Sequence, residues 1–228
     1  MNNRIFLNNN FYHIYNRGVD KRVIFQNQKD HYRFIHDLYE FNNKNPVLNY
    51  IQPMRKNINI ENPTSKKRKL LVDIMCFCLM PNHFHLILRQ KVENGITEFM
   101  RKLGTGYTNY FNTEYQRSGV LFQGRFKAID IQKDEYLMHL SRYIHLNPIE
   151  LIENNWKKNG IKNYKKINDF LENYRWSSYL DFIDKKNFPS IINNDFLMSY
   201  FKGGKDYKKF IFELILNDFE KINNIILE

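Results

Sequence analysis

Two histidines stand one residue apart in the apolar run LMPNHFHLIL, Leu79 to Leu88. A strand turns residues i and i+2 to the same face. His83 and His85 would then sit side by side, with Cα atoms about 6–7 Å apart from the rise per residue. Imidazoles in that position can converge on one divalent cation. They can equally be two histidines satisfied inside a core. Two ligands are too few for a structural metal site, so the metal reading needs a third donor from elsewhere.

A second chemical pattern lies in DEYLMHLSRYIHLNP, Asp134 to Pro148. Tyr143 and Asn147 are four apart, on one face of a helix, and His145 points elsewhere. Pro148 disfavours α geometry at the residue before it, which sets Asn147 at the helix end. A hydroxyl nucleophile and an amide ligand fit that placement. So do a half-buried core tyrosine and a C-terminal cap. Tyr107, Tyr110 and Tyr115 in GYTNYFNTEYQ compete for the nucleophile role. None of them has a polar ligand at i+4 beside a helix stop, so packing or contact with a bound partner is the expectation for them.

The elements that must position these residues alternate in type. FYHIYNRG, Phe11 to Gly18, is a first strand ending at a glycine. Phe34, Ile35, Leu38 and Phe41 repeat at helical spacing within about Phe25–Phe41. Leu70–Leu79 and Phe84–Leu88 are two β-rich runs joined at Pro81-Asn82, which predicts a hairpin. A helix follows over about Ile96–Tyr115 and stops at Ser118-Gly119. VLFQGRFKAIDI, Val120 to Ile131, is β-like, with Gly124 as a candidate bulge. A helix opening at Lys133-Asp134 ends at Pro148. The order β-α-β-β-α-β predicts an α+β chain of the ferredoxin-like, split βαβ type: an antiparallel sheet with helices on one face. Residues 1–150 form the expected catalytic domain, and 42–69 is a polar loop or insertion with three prolines and the run KKRK, Lys66 to Lys69. Residues 151–228 form a small helical C-terminal extension, with RWSSY and a last helix from about Asp206.

Composition narrows the partner. Lys and Arg number 35 against 24 acidic residues, a net charge of +11, with 16% aromatics. That combination favours nucleic acid, through phosphate pairing and base stacking. No apolar run approaches a membrane span, and MNNRIFLNNNF carries no apolar core of a secretion signal. Cys76 and Cys78 have strand spacing, not zinc-knuckle spacing. They are expected as buried thiols in a reducing cytoplasm.

Taken together, PNHFH and YIHLN resemble the His-hydrophobic-His and tyrosine motifs of the single-tyrosine HUH transposases. Tyr143 follows His85 by 143 − 85 = 58 residues, similar to that family's spacing. FYHIYNRGVDKRVIF, YTNYFN, GVLFQGRFKAI, YIHLNP and RWSSY look like its REP-associated branch, and the resemblance covers nearly the whole chain. It implies a metal-dependent transposase that nicks and rejoins single-stranded DNA at hairpins or palindromes through a 5′-phosphotyrosine intermediate. Tyr143 would be the nucleophile; His83, His85 and Asn147 would hold Mg²⁺ or Mn²⁺. Arg17, Arg125 and Lys127 would contact DNA, and the protein would be a monomer or homodimer. A hairpin-binding regulator without cleavage, and a relaxase or replication initiator, are the competing functions.

Overall fold

The computed structural model describes residues 4–45 and 68–217. Four strands form one sheet in the order β2-β3-β1-β4. They are β1 (Phe11–Arg17), β2 (Val72–Met80), β3 (His83–Gln90) and β4 (Lys127–Ile131), and every pairing is antiparallel. Helices α1 (Gln28–Glu40) and α2 (Gly95–Glu114) make the two crossovers. This is the α+β, split βαβ arrangement that the alternating pattern predicts. Pro81 and Asn82 form the expected two-residue link between β2 and β3.

Strand alternation divides the core in two. Tyr12, Ile14, Phe77, Phe84, Leu86 and Leu88 pack against Phe34 and Leu38 of α1 and Phe99, Leu103 and Tyr107 of α2. Cys76, Cys78, Met80 and Ile87 belong to the other face. There they meet Leu137, Leu140, Tyr143 and Ile144 of α3 (Asp134–Leu146). Helices therefore cover both faces, not one. The reason is compositional: Cys76, Cys78 and Ile87 give the second face its own apolar surface, which must be buried too. Alternation lets β2 serve both cores, and the register shift between Ile74 and Cys76 swaps which parity faces each. The two cysteines are free and fully buried, and burial pushes both thiols far up from their ordinary range.

The residues after α3 complete that second core. The chain passes through a 3-10 turn, Asn147–Leu151, into α4 (Trp156–Asn159), α5 (Tyr164–Leu171), α6 (Tyr179–Phe182), α7 (Asp195–Met198) and α8 (Gly204–Asn217). Trp156, Ile167, Tyr179, Phe182 and Tyr207 are all buried in the same cluster as α3. His145 of α3 is fixed by hydrogen bonds to Tyr207 (2.7 Å) and Ser178 (2.8 Å). Backbone bonds from Leu79 to Trp176 and from Ser178 to Phe77 lay RWSSY along the outer edge of β2.

Two local expectations fail for physical reasons. Asn147 keeps helical angles (φ −51°, ψ −40°) although a proline follows. The missing N–H of Pro148 costs nothing at the first turn of a new helical segment, and buried Ile149 holds that turn in the core. Val120–Ile131 is a strand only from Lys127. Leu121 and Phe122 fill the α1–α2 core, Phe122 keeping only an isolated antiparallel bridge to Gly18, and Gly124 turns the chain at φ 72°. Of the 42–69 segment, residues 46–67 lie outside the described residues, including Lys66 and Lys67. Its described ends are joined: Lys44 N–H donates to Lys69 O (2.8 Å), and Asn42 Oδ1 accepts from Leu71 and Val72 (3.0 Å each). Arg68 lies over the Tyr39 ring at 3.6 Å, a packing role.

Candidate active site

Sheet register sets the surroundings of the histidine pair. His83 lies opposite Arg17 on β1 and Met80 on β2; His85 lies opposite Tyr15 and Cys78. Their rings are 5.1 Å apart and nearly perpendicular, on the α3 face of the sheet. His83 Nδ1–H donates to Asn82 Oδ1 at 2.6 Å, and the Asn147 side chain is near enough to favour a proton on the same ring. Burial pushes His83 down to about 4, and the charges of Lys157 and Arg17 add to this against the opposing pull of Asn147. Burial, then His13, His83 and Lys157, hold His85 well below the ordinary histidine range. Both rings are neutral at pH 7, the form in which imidazole ligates metal.

α3 brings its own pair to the same place. The Tyr143 ring meets His85 edge-on at 5.9 Å. It is only 4% exposed. Asn147 is buried one turn further on, and its Nδ2 has no hydrogen-bond partner among the described residues. Also among the described residues, no three His, Cys, Asp or Glu side chains are grouped to hold a metal. A divalent ion could still be held by His83, His85 and the Asn147 amide. Two neutral imidazoles and the oxygen of a buried amide fit that use. With three uncharged ligands the ion would keep its charge for a bound anion.

Two side chains at this site escape sequence reasoning. His13 of β1 lies diagonally across from His85, with Nε2 3.0 Å from His85 Nδ1 and the rings 5.2 Å apart. Burial pushes His13 down to about 4. Tyr15 continues the stack, 4.9 Å from His13. The available signal was the i, i+2 spacing of His13 and Tyr15, opposite the core residues Tyr12 and Ile14. The other is Lys157 of α4, whose ammonium donates to Tyr143 Oη at 3.2 Å and stands 4.4 Å from the ring centre. Nothing in its local sequence marks it.

A cavity of about 540 Å³ opens over the histidines, lined by Tyr15, Arg17, Lys21, His83, His85, Lys127 and Glu150. Lys127 Nζ stands 5.6 Å from the Tyr15 ring, and the Arg17 guanidinium is braced by the Gln123 side chain. Arg125 is elsewhere: it borders a separate cavity of about 580 Å³ beside α2, with Arg101 and Phe122. Asn16 borders both cavities. The structure thus gathers His83, His85, Tyr143, Asn147, Arg17 and Lys127 at one end of the sheet and leaves Arg125 out.

Residues 35–147 match the family model described as "Transposase IS200 like". The chain belongs to the IS200-like transposase family. Among curated proteins, none matches. A solved structure described as a REP-associated tyrosine transposase bound to a REP hairpin shares the fold. It has a TM-score of 0.52 at 13% identity, over 86% of this chain and 92% of that one.

The matched stretch of this transposase ends on Asn147, so it contains His83, His85 and Tyr143 but neither His13 nor Lys157. The rival tyrosines of α2 are structural. Tyr107 donates to Ile24 O (2.6 Å), while Tyr110 and Tyr115 both donate to the buried carboxylate of Asp30 (2.8 and 2.7 Å). Burial pushes all three hydroxyls up, Tyr115 to about 12, which makes them poorer nucleophiles. Trp176 is a packing residue, stacked on His31 at 4.4 Å. Among the described residues, no helix is long and apolar enough to cross a membrane.

Proposed function

We propose that this transposase nicks and rejoins single-stranded DNA at hairpins, using a divalent metal and a covalent 5′-phosphotyrosine intermediate. The observation that carries the reading is the meeting of a neutral histidine pair with Tyr143 and Asn147 on one face of the sheet. A positively lined cavity beside them suits a phosphodiester backbone. Hairpin DNA is the substrate class favoured by likeness of fold to the hairpin-bound neighbour.

Tyr143 Oη attacks the scissile phosphorus. The Oη–P bond forms, the P–O3′ bond breaks, and the phenolic proton ends on the 3′-oxygen. The 5′ side stays on the tyrosine, so a 3′-OH can reverse the step and join strands with no nucleotide cofactor. Mg²⁺ or Mn²⁺, when bound, would polarise the phosphate oxygens. His83, His85 and Asn147 would hold it, with Asn82 and His13 fixing the two rings by hydrogen bonds to their Nδ1 atoms. Arg17 and Lys127 would pair with phosphates flanking the cut.

The test is a labelled single-stranded hairpin incubated with the protein and Mn²⁺. A denaturation-resistant protein–DNA adduct is expected. A hairpin bound tightly but never attached would favour the non-cleaving regulator instead.

A further inference from the structure

Lys157 lies fourteen residues after Tyr143, in the extension and outside the family-matched stretch. The chain returns it to the tyrosine by a defined path. After the 3-10 turn, Asn155 takes a left-handed conformation (φ 59°) and its N–H meets Glu150 Oε1 at 3.4 Å. Trp156, 1% exposed, plugs into the α3 core. Its neighbour Lys157 is thereby aimed back across α3, and the ammonium reaches Tyr143 Oη. The same charge is felt at His83 and His85, so it stands within the site and not merely beside the tyrosine.

Packing of a lysine on an aromatic ring is common and needs no function. Here the ammonium also touches the one oxygen that would become bonded to phosphorus. An ammonium has three N–H donors and can hold that oxygen and a phosphate oxygen at once.

We infer that Lys157 is a catalytic residue of the strand-cutting step, holding Tyr143 Oη in place and carrying the negative charge of the phosphoryl group as it passes to the tyrosine. This rests on the proposed nucleophilic role of Tyr143. During attack the charge on the non-bridging oxygens and on the departing 3′-oxygen grows, and a fixed cation close to the new Oη–P bond lowers that barrier. The helical extension would then be part of the active site and not an appendage.

The experiment compares the full chain with Lys157→Met and Lys157→Arg, using a labelled single-stranded hairpin and saturating Mn²⁺. Methionine keeps an aliphatic stem over the Tyr143 ring without the charge. Single-turnover adduct formation should slow by about 10²–10³-fold in Lys157→Met, the usual effect of losing one transition-state donor. Hairpin affinity should stay within threefold of the parent, and Lys157→Arg should recover at least about tenfold of the lost rate, as a retained charge predicts. An adduct rate in Lys157→Met within threefold of the parent overturns the assignment. So does a loss of hairpin affinity that accounts for the whole rate loss, or an arginine variant no faster than the methionine one. If the parent forms no adduct, the nucleophile reading itself fails, which is a separate result from these.

Discussion

His13 Nε2 stands 3.0 Å from His85 Nδ1, across two neighbouring strands, in the interior of the protein. With His85 Nδ1–H as the donor, the ring carries its lone pair on Nε2. That is the tautomer a ligand through Nε2 requires, and such outer hydrogen bonds usually set ligand affinity.

Replacing His13 by Phe keeps the ring stack and removes the nitrogen. We expect Mn²⁺ affinity to fall by about 10–100-fold. Calorimetric titration of the protein alone would measure it. Unchanged affinity would show that His13 serves only packing.

Tyr143→Phe should form no covalent adduct and still bind the hairpin with near-parental affinity. The variant loses only one oxygen, and the Lys157 ammonium can remain over the ring. Denaturing gels and a binding titration decide this together; an adduct surviving in the variant would move the nucleophile elsewhere.

The basic residues should separate by cavity. Arg17→Ala with Lys127→Ala should reduce the slope of log affinity against log salt by about 1.4, from two lost contacts to single-stranded phosphate. Arg125→Ala faces the other cavity, so it should leave the cutting rate of saturated DNA unchanged. A cutting defect in Arg125→Ala at saturation would bring that second cavity into the reaction.

Asp30 is fully buried and accepts from Tyr110, Tyr115 and the Gln26 N–H (2.7 Å), tying α1 to α2. Asp30→Ala strands these donors and should cost about 2–4 kcal/mol of stability. Urea unfolding measures the loss. A cost below about 0.5 kcal/mol, the level of an ordinary surface change, would remove the carboxylate from this role.

The sheet and its two crossover helices were legible because each element carries its own period and the hairpin its turn pair. The site was legible where spacing along one element does the work: His83 with His85 on a strand, Tyr143 with Asn147 on a helix. It was not legible where contact depends on register or on a distant segment. His13 meets His85 only because β1 and β3 pair as they do. Lys157 reaches Tyr143 only because Trp156 is buried beneath it. Arg125 and Lys127 are neighbours in sequence, yet the turn at Gly124 and the start of β4 send them to different cavities. The covering of the second sheet face was foreshadowed by Cys76, Cys78 and Ile87, whose apolar surface on that side had to be buried by something.

The residues around Tyr143 run from His13 on the first strand to Lys157 on α4, a separation of 157 − 13 = 144 residues. A ribosome adding about 5–20 residues per second takes roughly 7–30 s to cover that distance. Throughout that interval the histidine strand exists without its tyrosine, and then the tyrosine without its lysine. A chain that stops before Lys157 therefore carries no complete set of these groups. Under the proposed function, the power to break a DNA strand arrives only once Lys157 has been made and Trp156 has packed against α3.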